Sequence, residues 1–272
     1  GSGGRAGNRR EQRARQNGND RDAAGTMTEV EDLYRPYKQK RRTRGSIARE
    51  KGLEPLAEAI FAQDGRDPQA LALDYIDPEK GVNTVEEALQ GANDIIAENL
   101  SDDADIRKAL RQLVMRRGTF TCKAAEDAEE DGVYRLYYDF CQPIPRLLDH
   151  QILAINRGEK EGILKPAVTL TGNEGAALVC RAALKPTAQV SAFVRSAAED
   201  AYDRLIFPAI QREVRNELSD RAYAGAIANF ALNLKPLLMQ PPVKGFVTMG
   251  LDPGYRNGCK VAVLDATGKV LD

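Results

Sequence analysis

One carboxylate, Asp252, is placed where it could do chemistry. It sits in VTMGLDPGYRNGCKVAVLD, Val247 to Asp265. This stretch reads as a short apolar strand, an acidic residue, a turn through Asp252-Pro253-Gly254 and a second apolar strand from Cys259 to Leu264. A carboxylate at the C-terminal end of a first strand suits a metal-dependent nuclease. There it would bridge cations that activate water and stabilise the leaving oxygen. Such a site needs two or three further carboxylates within a few ångströms. Asp265 follows the second strand and opens the next turn, so it is a poor partner. On the residues alone, Asp252 is favoured as a turn-former.

The second feature is YRPYKQKRRTRGSIAREK, Tyr34 to Lys51. It gathers Arg35, Lys38, Lys40, Arg41, Arg42, Arg44, Arg49 and Lys51 within a few turns, with Glu50 as the one acidic residue. Tyr34 and Tyr37 interleave with the charge. Such a surface can neutralise phosphates and release their counterions, while tyrosines stack on bases. A solvated loop that pairs with acidic runs elsewhere explains the composition equally well. His150, beside Asp149, is the sole imidazole. It lacks an identifiable nucleophile or metal partner, so a packing or hydrogen-bonding role is expected. NRGEKEG, Asn156 to Gly162, reads as a polar turn.

These residues must be positioned mainly by helices. Residues 1–26 carry no large apolar side chain and are expected to be a disordered leader or tag. Thr28 with Glu31 forms a capping box for a short helix that Pro36 halts. Ser46 is expected to cap a second helix whose apolar positions run from Ile47 to Phe61, with Gly52 an awkward interior residue. Further helices are expected over Thr84–Asn99, capped by Thr84 with Glu87, and over Ser101–Arg117, ended by Gly118. The acidic run Glu126–Gly132 reads as a turn, LLDHQILAI as a helix or short strand, and ILKPAVTLTG as a strand that Pro166 confines to a sheet edge. Ser196–Glu217 is a helix that Pro208 should kink or break, and Asp220–Leu238 is another. Pro241, Pro242 and Gly245 then form a linker. Beyond it the hydrophobic period changes from 3.6 to 2, and a β-meander begins. The domain reading is therefore 1–26 leader, 27–240 helical region, 241–246 linker and 247–272 the start of a second domain.

Composition bounds the function. The net charge of -1 excludes a uniformly basic nucleic-acid coat, so any such affinity must be local. The cysteines, Cys122, Cys141, Cys180 and Cys259, include no C-x-x-C pair, and with one histidine a structural zinc site is not expected. Scattered single cysteines fit a reducing cytoplasm. No apolar run approaches a membrane span. No cofactor is implied.

Four stretches in order, EDLYRPYKQKRRTR with IAREKGLEPLA, HQILAINRGEKEG, EDAYDRLIFPAIQREVRNEL, and LLMQPPVKGFVTMGLDPGYRNGCKVAVLDATGKVLD, resemble the Tex family of bacterial transcription accessory proteins. The likeness spans nearly all of Met27 to Asp272. Two departures are Asn257, where the family more often has Thr, and LLDHQ, where a Pro-Ser-His-Arg pattern is commoner. The resemblance implies a mainly α fold: a helical multi-subdomain array, a small β element near 163–171, and the start of a YqgF/RNase H-like α/β domain. It implies a cytoplasmic, non-enzymatic factor that binds RNA or DNA without sequence preference. RNA polymerase and the family's remaining domains, helix-hairpin-helix and S1, are the implied partners. Asp252 falls on the first-strand aspartate of a YqgF-like domain expected to be non-catalytic. A nuclease or resolvase using Asp252, and a helical scaffold for protein docking, are the alternatives.

Overall fold

Short helices open the described part of the chain. The structure is a computed structural model and describes residues 27–37, 42–126, 128, 132–185, 191–241, 245–254 and 258–272. The expected leader, Lys38, Lys40, Arg41 and Asn257 lie outside these. Helix α1, Met27–Tyr34, runs into a 3-10 turn at Arg35–Tyr37 that contains Pro36. The expected second helix is in fact two, α2 (Arg44–Glu50) and α3 (Glu54–Phe61). Gly52, at φ +81, takes the left-handed conformation that breaks them. The cap of α2 is Thr43, not Ser46. Ser46 occupies the third helical position and completes the box, its Oγ accepting from the Thr43 backbone N–H at 2.8 Å.

A short α4, Pro68–Leu73, leads to the central helix α5, Val85–Ser101. Thr84 caps α5 as expected, but Glu87 reaches one residue further back, accepting from the Asn83 backbone N–H at 2.6 Å. Ser101 ends α5, and Asp103 caps α6, Ala104–Arg117. Ile106, Leu110 and Val114 form the buried stripe of α6.

A three-stranded antiparallel sheet comes next, with β1 (Thr119–Ala124) between β2 (Asp139–Pro143) and β3 (Leu164–Thr169). Pro166 lies in β3, an edge strand, where its missing N–H costs no ladder bond. Between β2 and β3, α7 spans Asp149–Lys160, so most of the expected polar turn NRGEKEG is helical and only Glu161-Gly162 turns. His150 is exposed in the first turn of α7 rather than packed.

Helices α8 (Glu174–Ala183) and α9 (Ala192–Asp200, capped by Ser191) precede a π-helical turn, Ala201–Ile206. Helix α10, Phe207–Leu238, continues from it. Pro208 does not break the helix. The Phe207 N–H donates five residues back to Tyr202 O, and the widened turn absorbs the proline just beyond it. No break occurs near Asp220. Gln211 Nε2 donates to Val168 O at 2.6 Å and the Arg215 guanidinium lies 5.3 Å from the Phe120 ring centre, docking the sheet on α10.

The chain divides into two units, residues 1–222 and 223–272. The core of the first joins Leu56, Ile95, Leu110, Phe120, Ile155, Ile206 and Ile210. The second holds the end of α10 and a hairpin of β4 (Thr248–Gly254) and β5 (Gly258–Leu264). The expected third meander strand is a single bridge, Leu264 to Val270. The fold is mainly α with two small antiparallel sheets.

Candidate nucleic-acid interface

The basic segment is anchored at both ends. On its N-terminal side, Asp32 of α1 is buried and accepts from Arg107 Nε at 2.6 Å and Arg111 Nη2 at 2.5 Å. Both arginines project from α6, four residues apart and therefore on one face. Both also bind Glu213 of α10, Arg111 at 2.8 Å. Two guanidiniums and two carboxylates thus close a neutral network joining α1, α6 and α10. On the C-terminal side, α2 docks on α5 through Glu98, whose carboxylate accepts from Arg49 Nη1 and from Thr43 Oγ1 at 2.9 Å. Glycine at 45 permits this approach, since a Cβ there would strike Glu98 Oε2 and lie 3.2 Å from Asp94 O.

The anchors sort the sequence candidates. Arg49 is committed to Glu98, to Asn99 Oδ1 at 2.8 Å and to Glu54 at 3.7 Å. Lys51 donates to Gly81 O at 2.8 Å. Both face the protein. Arg42 and Arg44 are exposed. Arg42 pairs with the equally exposed Glu50 at 3.1 Å; such a pair contributes under about 1 kcal/mol and gives up its guanidinium readily. Arg44 has no hydrogen bond or ion pair among the described residues, although its charge adds to that of Arg204 in holding the Asp200 carboxyl below its ordinary range. Arg35 makes one long contact, 3.6 Å to Glu213. Tyr34 and Tyr37 are each 50% exposed, enough ring surface to meet a base.

Sequence reading misses Arg204 and Arg212. They approach Arg35 and Arg44 across about 160 residues of chain and line one pocket with them. The legible signal is the basic character of DRLIFPAIQREVR. The π-helical turn that holds Arg204 is announced by no periodicity.

Asp252 lies within β4 rather than at its end, opposite Lys260 in the ladder and exposed. Among the described residues, no group of three or more His, Cys, Asp or Glu is placed to hold a metal. Asp265 is a turn-former. Thr267 Oγ1 donates to it at 2.7 Å, with the backbone N–H groups of Thr267 and Lys269 at 2.8 and 3.0 Å. These bonds, the Thr267 side chain first, keep its carboxyl below the ordinary range. Among the described residues, no helix is long and apolar enough to cross a membrane.

Residues 63–230 match a family model described as Tex central region-like, and residues 246–272 match a Tex protein YqgF-like domain. The chain is 47% identical over 249 residues to uncharacterized protein YdcI of Bacillus subtilis, covering 90% of this chain and 35% of that protein. It is 40% identical over 268 residues to protein tex of Bordetella pertussis, covering 92% and 33%. A human protein named S1 RNA-binding domain-containing protein 1 is 31% identical over 264 residues, covering 90% and 26%. The chain therefore spans about a third or less of the length of these curated relatives.

Proposed function

The chain belongs to the Tex family, and on that premise we propose that it serves a transcription accessory factor by holding RNA or DNA through its phosphates, without sequence preference and without catalysis. The observation that carries this reading is the sorting of the basic segment. Arg42 and Arg44 stay exposed, Tyr34 and Tyr37 earlier in the same segment are half-exposed, and Arg49 and Lys51 are drawn inward to hold the segment in place. Positive charge at the surface with interleaved aromatic rings is the arrangement that grips a strand irrespective of base. The name of the human relative, S1 RNA-binding domain-containing protein 1, supports a link to RNA. RNA polymerase and the further domains of longer family members are the proposed partners, in the cytoplasm. In the β4–β5 hairpin Asp252 lies opposite Lys260.

The test is binding of short single- and double-stranded RNA and DNA across a salt series, with and without Arg41→Glu and Arg42→Glu together. Removing one phosphate contact reduces the slope of log K against log salt by about 0.9 on duplex and about 0.7 on single strands. A slope that flattens by roughly one to two in the reversal variant supports the reading. Absence of binding at low salt overturns it. Cleavage that needs a divalent cation and disappears in Asp252→Asn would instead identify a nuclease. A second reading, a helical docking scaffold, is favoured by Ile227, Phe230 and Leu237, apolar and exposed on α10. It predicts no nucleic-acid affinity and a binding loss on Phe230→Asp to a protein partner.

A further inference from the structure

Between α2, the α5–α6 junction and the start of α10 lies a pocket of about 270 Å³. That is below the roughly 300–1,000 Å³ of sites for drug-sized ligands, and suits a single small polar group. Its walls carry arginines at 35, 44, 107, 204 and 212 against carboxylates at 94, 98 and 102. The count matters less than which of these charges is already matched. Arg107 is turned to Asp32 and Glu213. Arg204 is held by Asp200 at 2.7 Å and by Asp94 at 3.0 Å, which also uses up Asp94. Glu98 is taken by Arg49, from outside the pocket, and by Thr43. Arg44 and Arg212 make no hydrogen bond or ion pair among the described residues, and Arg35 has only its 3.6 Å contact. These three outnumber the one other carboxylate of the walls, Asp102. Three guanidinium groups from three separate elements thus border one small cleft, with Asp102 in its walls and Asp200 close enough to feel the Arg44 charge. Guanidinium forks match the oxygens of phosphate in pairs, and their hydrogen bonds to it are charge-assisted.

We propose that this pocket is a phosphate-binding site, with Arg44 and Arg212 as its principal ligands and Arg35 as the third. The phosphate comes either from a nucleic-acid backbone or from a free phosphate compound, and both present the same oxygens to the same donors. The backbone source rests on the function proposed above; the pocket itself does not. Arg212 lies about 160 residues beyond the basic segment that ends at Lys51, so its participation separates this site from that generally cationic segment.

Isothermal titration of the full chain with inorganic pyrophosphate tests the site, using wild type, Arg44→Gln, Arg212→Gln and the control Arg116→Glu. Arg116 is exposed on α6 and lies outside the pocket. Losing one charge-assisted partner is expected to weaken binding roughly tenfold in each pocket variant, with Arg116→Glu unchanged and all melting temperatures alike. Displacement of pyrophosphate by short single-stranded RNA identifies the backbone as the source. Pyrophosphate binding that RNA does not displace identifies a free phosphate compound; in either case the pocket stands. If pyrophosphate fails to bind, or binds equally to all four proteins, the pocket is overturned, even where RNA still binds through the exposed segment. If RNA fails to bind but the arginine-dependent pyrophosphate site persists, the nucleic-acid function falls and the pocket remains.

Discussion

Asp32→Ala should be among the most damaging single substitutions near the site, although no ligand touches Asp32. The residue is 3% exposed and Arg107 is 1% exposed. Together with Arg111 and Glu213 they form a network of two positive and two negative charges. Removing Asp32 leaves two guanidiniums against Glu213 alone, and the Glu213 side chain is 22% exposed and shared with Arg35. Breaking a buried pair by deleting one partner costs about 3–5 kcal/mol. Because Glu213 still compensates part of the charge, the low end applies, about 3 kcal/mol. At roughly 2–4 °C per kcal/mol for a domain of this size, the melting temperature should fall by about 6–12 °C. Circular dichroism melts measure this, and trypsin should cut the segment Arg35 to Lys51 sooner, because α1 loses its main anchor. The penalty comes from an uncompensated charge rather than from a missing hydrogen bond. Adding Arg107→Met to Asp32→Ala should therefore recover part of the loss, since Arg111 and Glu213 then balance one to one. A loss under about 1 kcal/mol, or a second substitution that simply adds to the first, would refute the reasoning.

Arg49→Gln should act on stability rather than on nucleic-acid binding, because its guanidinium holds Glu98, itself 6% exposed. About 1–3 kcal/mol should be lost in urea unfolding, as for any charged hydrogen-bond partner left unmatched, with the salt dependence of RNA binding unaltered. Gly45→Ala should cost about 1–3 kcal/mol, since Glu98 is tied by two donors and Asp94 O is backbone, so neither yields to the new methyl; calorimetric melting checks it. A thiol reagent should label Cys141 and Cys259, which are exposed, and reach Cys122 and Cys180 only on unfolding. Burial pushes the Cys122 thiol up to about 11. The folded state therefore keeps a proton that the unfolded chain releases from about pH 9 upward, and stability should decline as pH climbs from about 9 toward 11. An unchanged urea midpoint across that window would contradict the assignment.

The contrast between Arg49 and Arg44 shows how far a sequence can be read here. Both belong to one basic run, and composition treats them alike. They differ because Glu98, on a helix nearly fifty residues away, meets one and not the other. Local signals are dependable where their cause is local. Pro166 marks an edge strand because its ring removes a donor, and Thr84 caps a helix, whereas Gly52 breaks a helix that the apolar spacing reads as continuous. They fail where the cause is distant. β1 offers only Phe120 and Cys122 as buried residues, and it becomes a central strand because partners at Pro143 and Thr169 lie alongside Thr119. Pro208 reads as a break because the rule concerns a regular α-helix, whereas a turn with one extra residue takes up the missing donor. Arg204 lies within that turn and Arg212 just beyond it on α10, and both line one pocket with Arg44. The surface charge of the basic segment is thus legible from its residues. Its convergence on a pocket is not, because the partners Arg204 and Arg212 lie some 160 residues later in the chain.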